Sequence, residues 1–406
     1  MHRCLRSPLD ASFAEALEEE NMSTNPYVVA AHSLADEISA SAREGEELRR
    51  MPDDLVSRLL TAGLFHLGVP AALGGAECEP STIIDVVEEV SRADGSAGWN
   101  VFVGQATMFI AWLDPAVAKQ MAAENPGFLV SSAFPPMGTA RPDGDGLVID
   151  GRWSFCSGCS HADWFMQGVM MMEGDAPRVV PPGRPDWRFA FIPAKEAEII
   201  DTWHVAGLRG SGSHDIAAAG ARVSYGHTIM PFYEPAQFDG PLYRLPFPTV
   251  LCATISGFPL GVARRALDEF IALAHSKSHA PPSPPMAEDG HVQLEVARAE
   301  ASLRAARAYV DDAIGDAWET VHRGSDVTID QRANAVMATL HAARTARSVV
   351  GHVYALAGGG AIYDRNPLQR CARDIEAGTQ HIFLGFGQWR TTGRVLFGLE
   401  PDTPRV

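Results

Sequence analysis

Residues 151–164 read GRWSFCSGCSHADW, and residues 201–215 read DTWHVAGLRGSGSHD. Both are predicted as β structure carrying glycines and small hydroxyl residues where a backbone must come close to something. Trp153, Phe155, Trp164 and Trp203 add flat apolar surface to the same neighbourhood. Close approach, hydroxyl hydrogen bonding and an aromatic wall suit a flat heteroaromatic ligand better than a metal ion or a lone phosphate. Taken alone, the two stretches also read as a glycine-rich β domain with ordinary turns.

Around these stretches lies a chain of 406 residues, a length that implies two or three domains. The net charge of −17 argues against nucleic acid or an anionic membrane surface as partner. No run of eighteen apolar residues predicts a membrane span. Residues 1–22 lack a secretion-type apolar core and read as a flexible N-terminal tail, with Met22 as an alternative start and the cytoplasm as the expected location. Cysteines stand at 4, 78, 156, 159, 252 and 371. Cys156 and Cys159 form a C-x-x-C without a second pair or a histidine cluster, so no metal site is expected. Their odd spacing on a strand would place the two thiols on opposite faces, as small buried hydrophobes.

Residues 23–128 read as a helical domain. Pro52 opens one helix, Gly63 marks a break, and a strong helix capped by Ser81 or Thr82 buries Ile83, Val86, Val87 and Val90. Asp94-Gly95-Ser96 ends it, and Ala97–Trp112 forms another. Residues 129–238 are β-rich, with the turn signals of a meander and a hairpin at DGDGLVIDGRWSF (143–155). Residues 239–406 supply four long amphipathic helices, the third capped by Thr328 or Asp330. The fourth opens at Asn366-Pro367 and is predicted to run unbroken to Phe397.

This α, β, α order carries three stretches that resemble the acyl-CoA dehydrogenase superfamily: GLFHLGVPAALGG (63–75), GLRGSGSHDI (207–216) and ALAGGGAIYDRNPLQRCARDI (355–375). The resemblance covers residues 27 to 398 and implies an α+β, mainly α fold with an N-terminal helical domain, a middle β-barrel and a C-terminal four-helix bundle. In the dehydrogenases a glutamate before Gly-Thr removes the substrate's α-proton. Here Ala377 stands before Gly378-Thr379, and Glu376 is one position, about 100° of helix, away. His381 follows, with Ala377 and Gly378 on its helical face leaving room for a flat ring, and with Asp374 placed to orient its imidazole. By the residues alone, His381 reads first as a core histidine satisfied by a backbone carbonyl or by Asp374.

The patterns RDxxAGxxH and WxFxSGxxHADW resemble the flavin-dependent monooxygenase branch, the oxygenase components of two-component systems. That resemblance implies a reduced flavin, FMNH2 rather than FADH2, delivered by a separate NAD(P)H:flavin reductase. It also implies O2 as co-substrate, a C4a-hydroperoxyflavin, and hydroxylation of a small aromatic substrate by a homotetramer. It assigns Ser157, beside Gly158, to flavin N5 and His381 to the oxygen or the substrate hydroxyl. Ser131, Ser132 and Ala133 match the strand facing the flavin, Trp203 a ring stacked on it, and Ala357, Gly358 and Gly359 a turn near its tail. Lys277 takes the place of an arginine that reaches a neighbouring subunit's flavin phosphate. Arg209 and Ser213 read as polar contacts, and His161 and His214 as structural hydrogen-bonders. Many aromatic hydroxylases of this branch have a histidine in the helix of Trp99–Thr107; here Gln105 and Thr107 offer only hydrogen bonds. N-hydroxylation, FAD-dependent acyl-CoA dehydrogenation and a flavin-less scaffold therefore stay open as alternatives.

Overall fold

The computed structural model describes residues 25–278 and 282–406; the N-terminal tail and the start of the Pro-rich connection lie outside the described residues. Among the described residues six helices come first: α1 (Pro26–Ser33), α2 (Ala35–Leu48), α3 (Asp53–Thr61), α4 (Pro80–Ala93), α5 (Gly95–Gly104) and α6 (Pro115–Glu124). Glu79, not Ser81 or Thr82, occupies the cap position of α4, because Pro80 takes the first helical position, where a missing N–H costs nothing. Thr82 instead accepts from the Asn25 side chain at 2.9 Å. The Asp94 side chain caps α5 through the Ala97 N–H, so α4 and α5 meet at one residue. Beyond Gly104 the helix tightens into a 3₁₀ stretch, Gln105–Trp112, rather than continuing as α.

Ten strands follow: β1 (Val130–Asp143), β2 (Gly146–Cys156), β3 (Trp164–Glu173), β4 (Ala176–Pro177), β5 (Val179–Val180), β6 (Arg184–Pro185), β7 (Trp187–Pro193), β8 (Glu198–Ile200), β9 (His214–Ser224) and β10 (Thr228–Ile229). The main sheet runs β10-β7-β3-β1-β2-β9-β8. β1 and β2 form the expected hairpin, closing at Asp143 opposite Gly146. A simple meander would then set β3 beside β2. Instead β3 lies parallel to β1, and β9 takes the other edge of β2. Residues 157–163 make the crossover, passing over the start of β1: the N–H groups of Asp163 and Trp164 both reach the Leu129 carbonyl. The sheet encloses its own core around Trp153, Phe165 and Ile149. Cys156 and Cys159 both belong to that core, because the strand ends at Cys156 and the turn carries Cys159 back to the same side. Burial pushes the Cys159 thiol up to about 11, so it is protonated and inert at neutral pH.

The C-terminal helices are α7 (Pro241–Arg244), α8 (Phe247–Ile255), α9 (Gly257–Ser276), α10 (Gly290–His322), α11 (Ile329–Ala357), α12 (Pro367–Gly378) and α13 (Phe386–Leu396). Thr328 and Gln331 form a capping box on α11, and Asn366 caps α12 ahead of Pro367. α8 and α9 run on as one buried apolar rod that packs on α4 and α11. Gly257 and Gly261 make that packing possible: a Cβ at either would lie 2.5 Å from Ile84 O or 2.1 Å from Glu88 O. The N-terminal helices and the bundle consequently share one hydrophobic core, separate from that of the sheet.

The predicted fourth helix does not run through. It stops at Gly378, and a 3₁₀ turn at Ile382–Leu384 separates α12 from α13. A Cβ on Gly378 would sit 2.2 Å from Phe258 Cε1, so the chain ends its helix hard against the α9 rod.

Candidate active site

Strand pairing brings the first two hydroxyls together. β2 and β9 pair antiparallel with Cys156 opposite His214 as their last rung. One step further out, Ser157 meets Ser213, Oγ to Oγ at 2.7 Å. Ser213 Oγ in turn lies 2.7 Å from Ser211 Oγ. Trp99 of α5 donates its indole N–H to Ser157 Oγ at 3.0 Å, and Ser131 donates to the Ser157 carbonyl at 2.8 Å. Ser157 is only 5% exposed, and Ser211 and Ser213 are equally enclosed.

Trp99 is the hub on the other side as well. Its ring meets Phe258 edge to face at 4.9 Å, Phe102 at 5.2 Å and His381 at 5.8 Å. Ser157 and His381, read from positions more than two hundred residues apart, thus converge on one indole. The route to that position differs from the helical reading. His381 stands after the end of α12 in an extended conformation, so it shares no helical face with Ala377 or Asp374. The space beside Gly378 is filled by Phe258 and Trp99. His381 Nδ1 accepts the Phe383 N–H at 3.3 Å, which leaves a proton on Nε2 of the neutral ring. Part of His381 remains solvent-accessible, yet Trp99 and Phe102 enclose its imidazole. That desolvation, with the Arg405 guanidinium nearby, pushes it down to about 4. At pH 7 it is a hydrogen-bond donor through Nε2 and a weak base.

Asp374 serves the loop of residues 201–213 rather than His381. It accepts the Leu208 N–H at 2.6 Å, while Arg373 holds the Ala206 carbonyl at 2.7 Å. Leu208 adopts a left-handed φ of 52°, an uncommon conformation for a branched residue, and its carbonyl receives the Trp203 indole N–H at 2.9 Å. Burial, together with the charge of Asp94 across the α4–α5 junction, raises the Asp374 carboxyl to about 8. His214 Nδ1 accepts the N–H of Thr202 and of Trp203, and His161 bonds the Met51 carbonyl, both structural duties. Gln105 and Thr107 are likewise committed to backbone groups, at Leu64, Val101, Gly104 and Val130.

The remaining cofactor candidates divide into two places. Phe155 is 72% exposed with φ of 64°, and its ring stands edge-on to Trp203 at 6.2 Å, directly beside Ser157. Ala133 packs inside the sheet's core, Ser132 is half-buried on the other face, and Arg209 is exposed. Lys277 reaches the Ala357 carbonyl and overhangs the exposed Gly358–Gly360 turn, so these four predicted residues do meet. They meet at the far end of α9, however. From Phe258 to Lys277 is 19 steps, or roughly 28 Å of helix. Within one chain the Ser157 end and the Lys277 end are separate sites.

A flavin fits the Ser157 end. The exposed Phe155 and half-buried Trp203 beside a buried hydroxyl give a ring a face to cover and an edge to bond. Asn100 adds a buried Oδ1 without a partner, aimed at Gly158, whose absent side chain would lie 2.9 Å away. For the dehydrogenase alternative, Glu376 is not available as the base: it is exposed and paired with Arg347 at 2.7 Å. Trp99, Asn100 and Phe258 were not singled out as site residues from the sequence. A tryptophan after a glycine-rich helix start carried no chemistry of its own to mark it.

Comparison with known proteins gives the family. Residues 29–117 match the acyl-CoA dehydrogenase N-terminal domain and residues 253–386 its C-terminal domain. An indole-3-acetate monooxygenase from Pseudomonas putida is 33% identical over 91% of this chain and 93% of its own length. The oxygenase component of an FADH2-dependent resorcinol hydroxylase from a Rhizobium species is 27% identical over 91% of this chain and 93% of its own. The crystal structure of the HsaA monooxygenase from M. tuberculosis superposes with a TM-score of 0.86 at 26% identity, covering 94% of this chain and 99% of that one. The chain belongs to the acyl-CoA dehydrogenase superfamily and, within it, to the reduced-flavin-dependent monooxygenases.

Proposed function

We propose that the chain is the oxygenase component that takes FMNH2 from a separate NAD(P)H:flavin reductase and uses O2 to hydroxylate a small aromatic substrate beside the aromatic cluster of Trp99, Phe102, Phe258 and His381. The observation that supports this most is the convergence of Ser157 and His381 on Trp99. Ser157 would hold the N5 edge of the flavin, with Phe155 and Trp203 beside its ring. When bound, the reduced flavin supplies the two electrons that activate O2. The chain's residues do the rest. The enclosed aromatic walls keep water from the reacting oxygen, and the Nε2–H of His381 donates a hydrogen bond to the oxygen or the substrate hydroxyl.

FMNH2 is preferred to FADH2 on the resemblance; the tail candidates Lys277 and Ala357–Gly359 lie roughly 28 Å of helix away in the same chain and would meet a flavin tail only from a neighbouring subunit. The resorcinol hydroxylase relative, named for FADH2, is the counterweight. We further propose a homotetramer located in the cytoplasm. Phe386, Leu396 and Phe397, 85%, 69% and 86% exposed, support burial by another copy. The unpaired described cysteines fit a reducing compartment.

The test is to supply the protein with FMNH2 or FADH2 under 18O2 and offer indole-3-acetate and simple phenols. One 18O atom per product, with higher yield per flavin from FMNH2, supports the proposal. No oxygenated product, together with tightly bound FAD bleached by an acyl-CoA, would overturn it in favour of the dehydrogenase.

A further inference from the structure

The three serines hold more hydrogens than their mutual bonds can use. Ser157, Ser213 and Ser211 are joined by two hydroxyl–hydroxyl contacts of 2.7 Å each. Three hydroxyls carry three protons, and two contacts use two of them. One proton is left over. It emerges at Ser157 when Ser211 donates to Ser213 and Ser213 to Ser157. It emerges at Ser211 when every donation runs the other way, and stays buried and unpaired at Ser213 when both neighbours donate to it, an arrangement in which Ser157 again donates inward. Trp99, a donor only, already occupies one acceptor position of Ser157 at 3.0 Å. In the first arrangement Ser157 is therefore filled as an acceptor and offers a hydrogen outward. In the second it donates inward and keeps one acceptor position open. The group is buried, with Ser211 1%, Ser213 3% and Ser157 5% exposed, so water does not blur the distinction.

We propose that Ser213, backed by Ser211, is a positioning residue that sets the polarity of Ser157 and so makes the site favour reduced over oxidised flavin. This rests on the reading that Ser157 contacts flavin N5. Reduced flavin carries a hydrogen on N5 and needs an acceptor; oxidised flavin has a bare N5 and needs a donor. The inward-donating arrangement serves the reduced form, and Ser213 is what accepts the Ser157 proton there. Remove the Ser213 hydroxyl and Ser157 must leave a buried hydrogen unpaired when it accepts from N5. The oxidised form loses little, because Ser157 then donates to N5 and still accepts from Trp99.

Ser213→Ala should accordingly weaken FMNH2 binding about tenfold more than FMN binding, the loss expected for one buried unpaired donor. For a two-electron couple that is a bound-flavin midpoint potential about 30 mV lower. Ser211→Ala should shift the ratio in the same direction, since it leaves the Ser213 proton without its acceptor, and it stands in if Ser213→Ala does not fold. The measurements are anaerobic titration of FMNH2, aerobic titration of FMN, and the bound-flavin potential, with near-ultraviolet circular dichroism checking the fold. Equal weakening of both forms in both variants would reduce the serines to packing and overturn the proposal. Ser157→Ala separates the two layers. If it leaves both affinities unchanged, the N5 reading itself falls. If it alters the ratio while folded Ser213→Ala and Ser211→Ala do not, only the positioning role falls.

Discussion

Replacing Asp374 by Asn removes a titratable group from beneath the loop that carries Trp203, Ser211 and Ser213 while keeping its geometry. An asparagine retains an acceptor for the Leu208 N–H and sets an N–H where the carboxyl proton stands. In the unfolded chain an aspartate ionises near 3.9; here burial and Asp94 raise Asp374 to about 8. Between those values folding takes up a proton, so stability falls as pH rises through the window, by up to ~1.4 kcal/mol per unit. Asp94 titrates with Asp374 and spreads the change, so the single-site total of ~5.5 kcal/mol is a ceiling. The other charges facing the pair are Glu46 from α2, Arg265 from α9, and Arg370 and Arg373 from α12 itself. From pH 6 to pH 8 the wild type should lose at most ~2.7 kcal/mol at this site. Asp374→Asn should be flatter over that range and should overtake the wild type near pH 8. Urea midpoints at pH 5, 6, 7 and 8 for both proteins measure this. Parallel pH dependence in the two would refute a proton held at Asp374.

Three further outcomes follow from the geometry. His381→Ala should release several times more hydrogen peroxide per flavin oxidised. Because the ring is held down to about 4, wild-type coupling should show no inflection traceable to His381 between pH 5 and 8; an inflection near 6.5 that disappears in His381→Gln would contradict this. Trp99→Phe keeps the ring but deletes the donor to Ser157, and should cost about 1 kcal/mol in urea unfolding; an unshifted midpoint would mean that the bond contributes nothing. Gly378→Ala drives a methyl onto Phe258 and should destabilise by roughly 1–3 kcal/mol, with an unchanged melting temperature showing that α12 can move away.

The fold was largely legible in the chain because its markers are local. Asn366-Pro367, Thr328 with Gln331, and the DGDG turn each act within a few residues, and each begins or closes the element it predicts. The break after Gly378 was not legible. Thr379-Gln380-His381-Ile382 carries no strong helix breaker, and the close approach of Gly378 to Phe258 joins residues 120 positions apart. The parallel placement of β3 was hidden for a similar reason, since turn residues fix a hairpin but not the side to which the next strand returns. At the site, Ser157 and His381 could be singled out by type and spacing. Their common neighbour Trp99 could not, nor could the reassignment of Asp374, because both depend on which surfaces the sheet and bundle press together.

The hydroxyl chain sits just past the last rung between β2 and β9, and a ladder opens from its ends. Beyond Cys156 and His214 the two segments are clamped by the Gly158 N–H to Ser211 carbonyl bond at 2.9 Å, the Ser157–Ser213 hydroxyl contact and the Cys159 thiol on the Gly212 carbonyl. Fraying of a few residues there dismantles the serines and frees Phe155 while the enclosed core of the sheet stays shut. Admission of a ligand and exchange of these amides with solvent therefore draw on the same local opening, at a far lower free energy than unfolding the molecule. A ring seated on Ser157 would close that end like a rivet, and the slowing of exchange at Gly158 would record it.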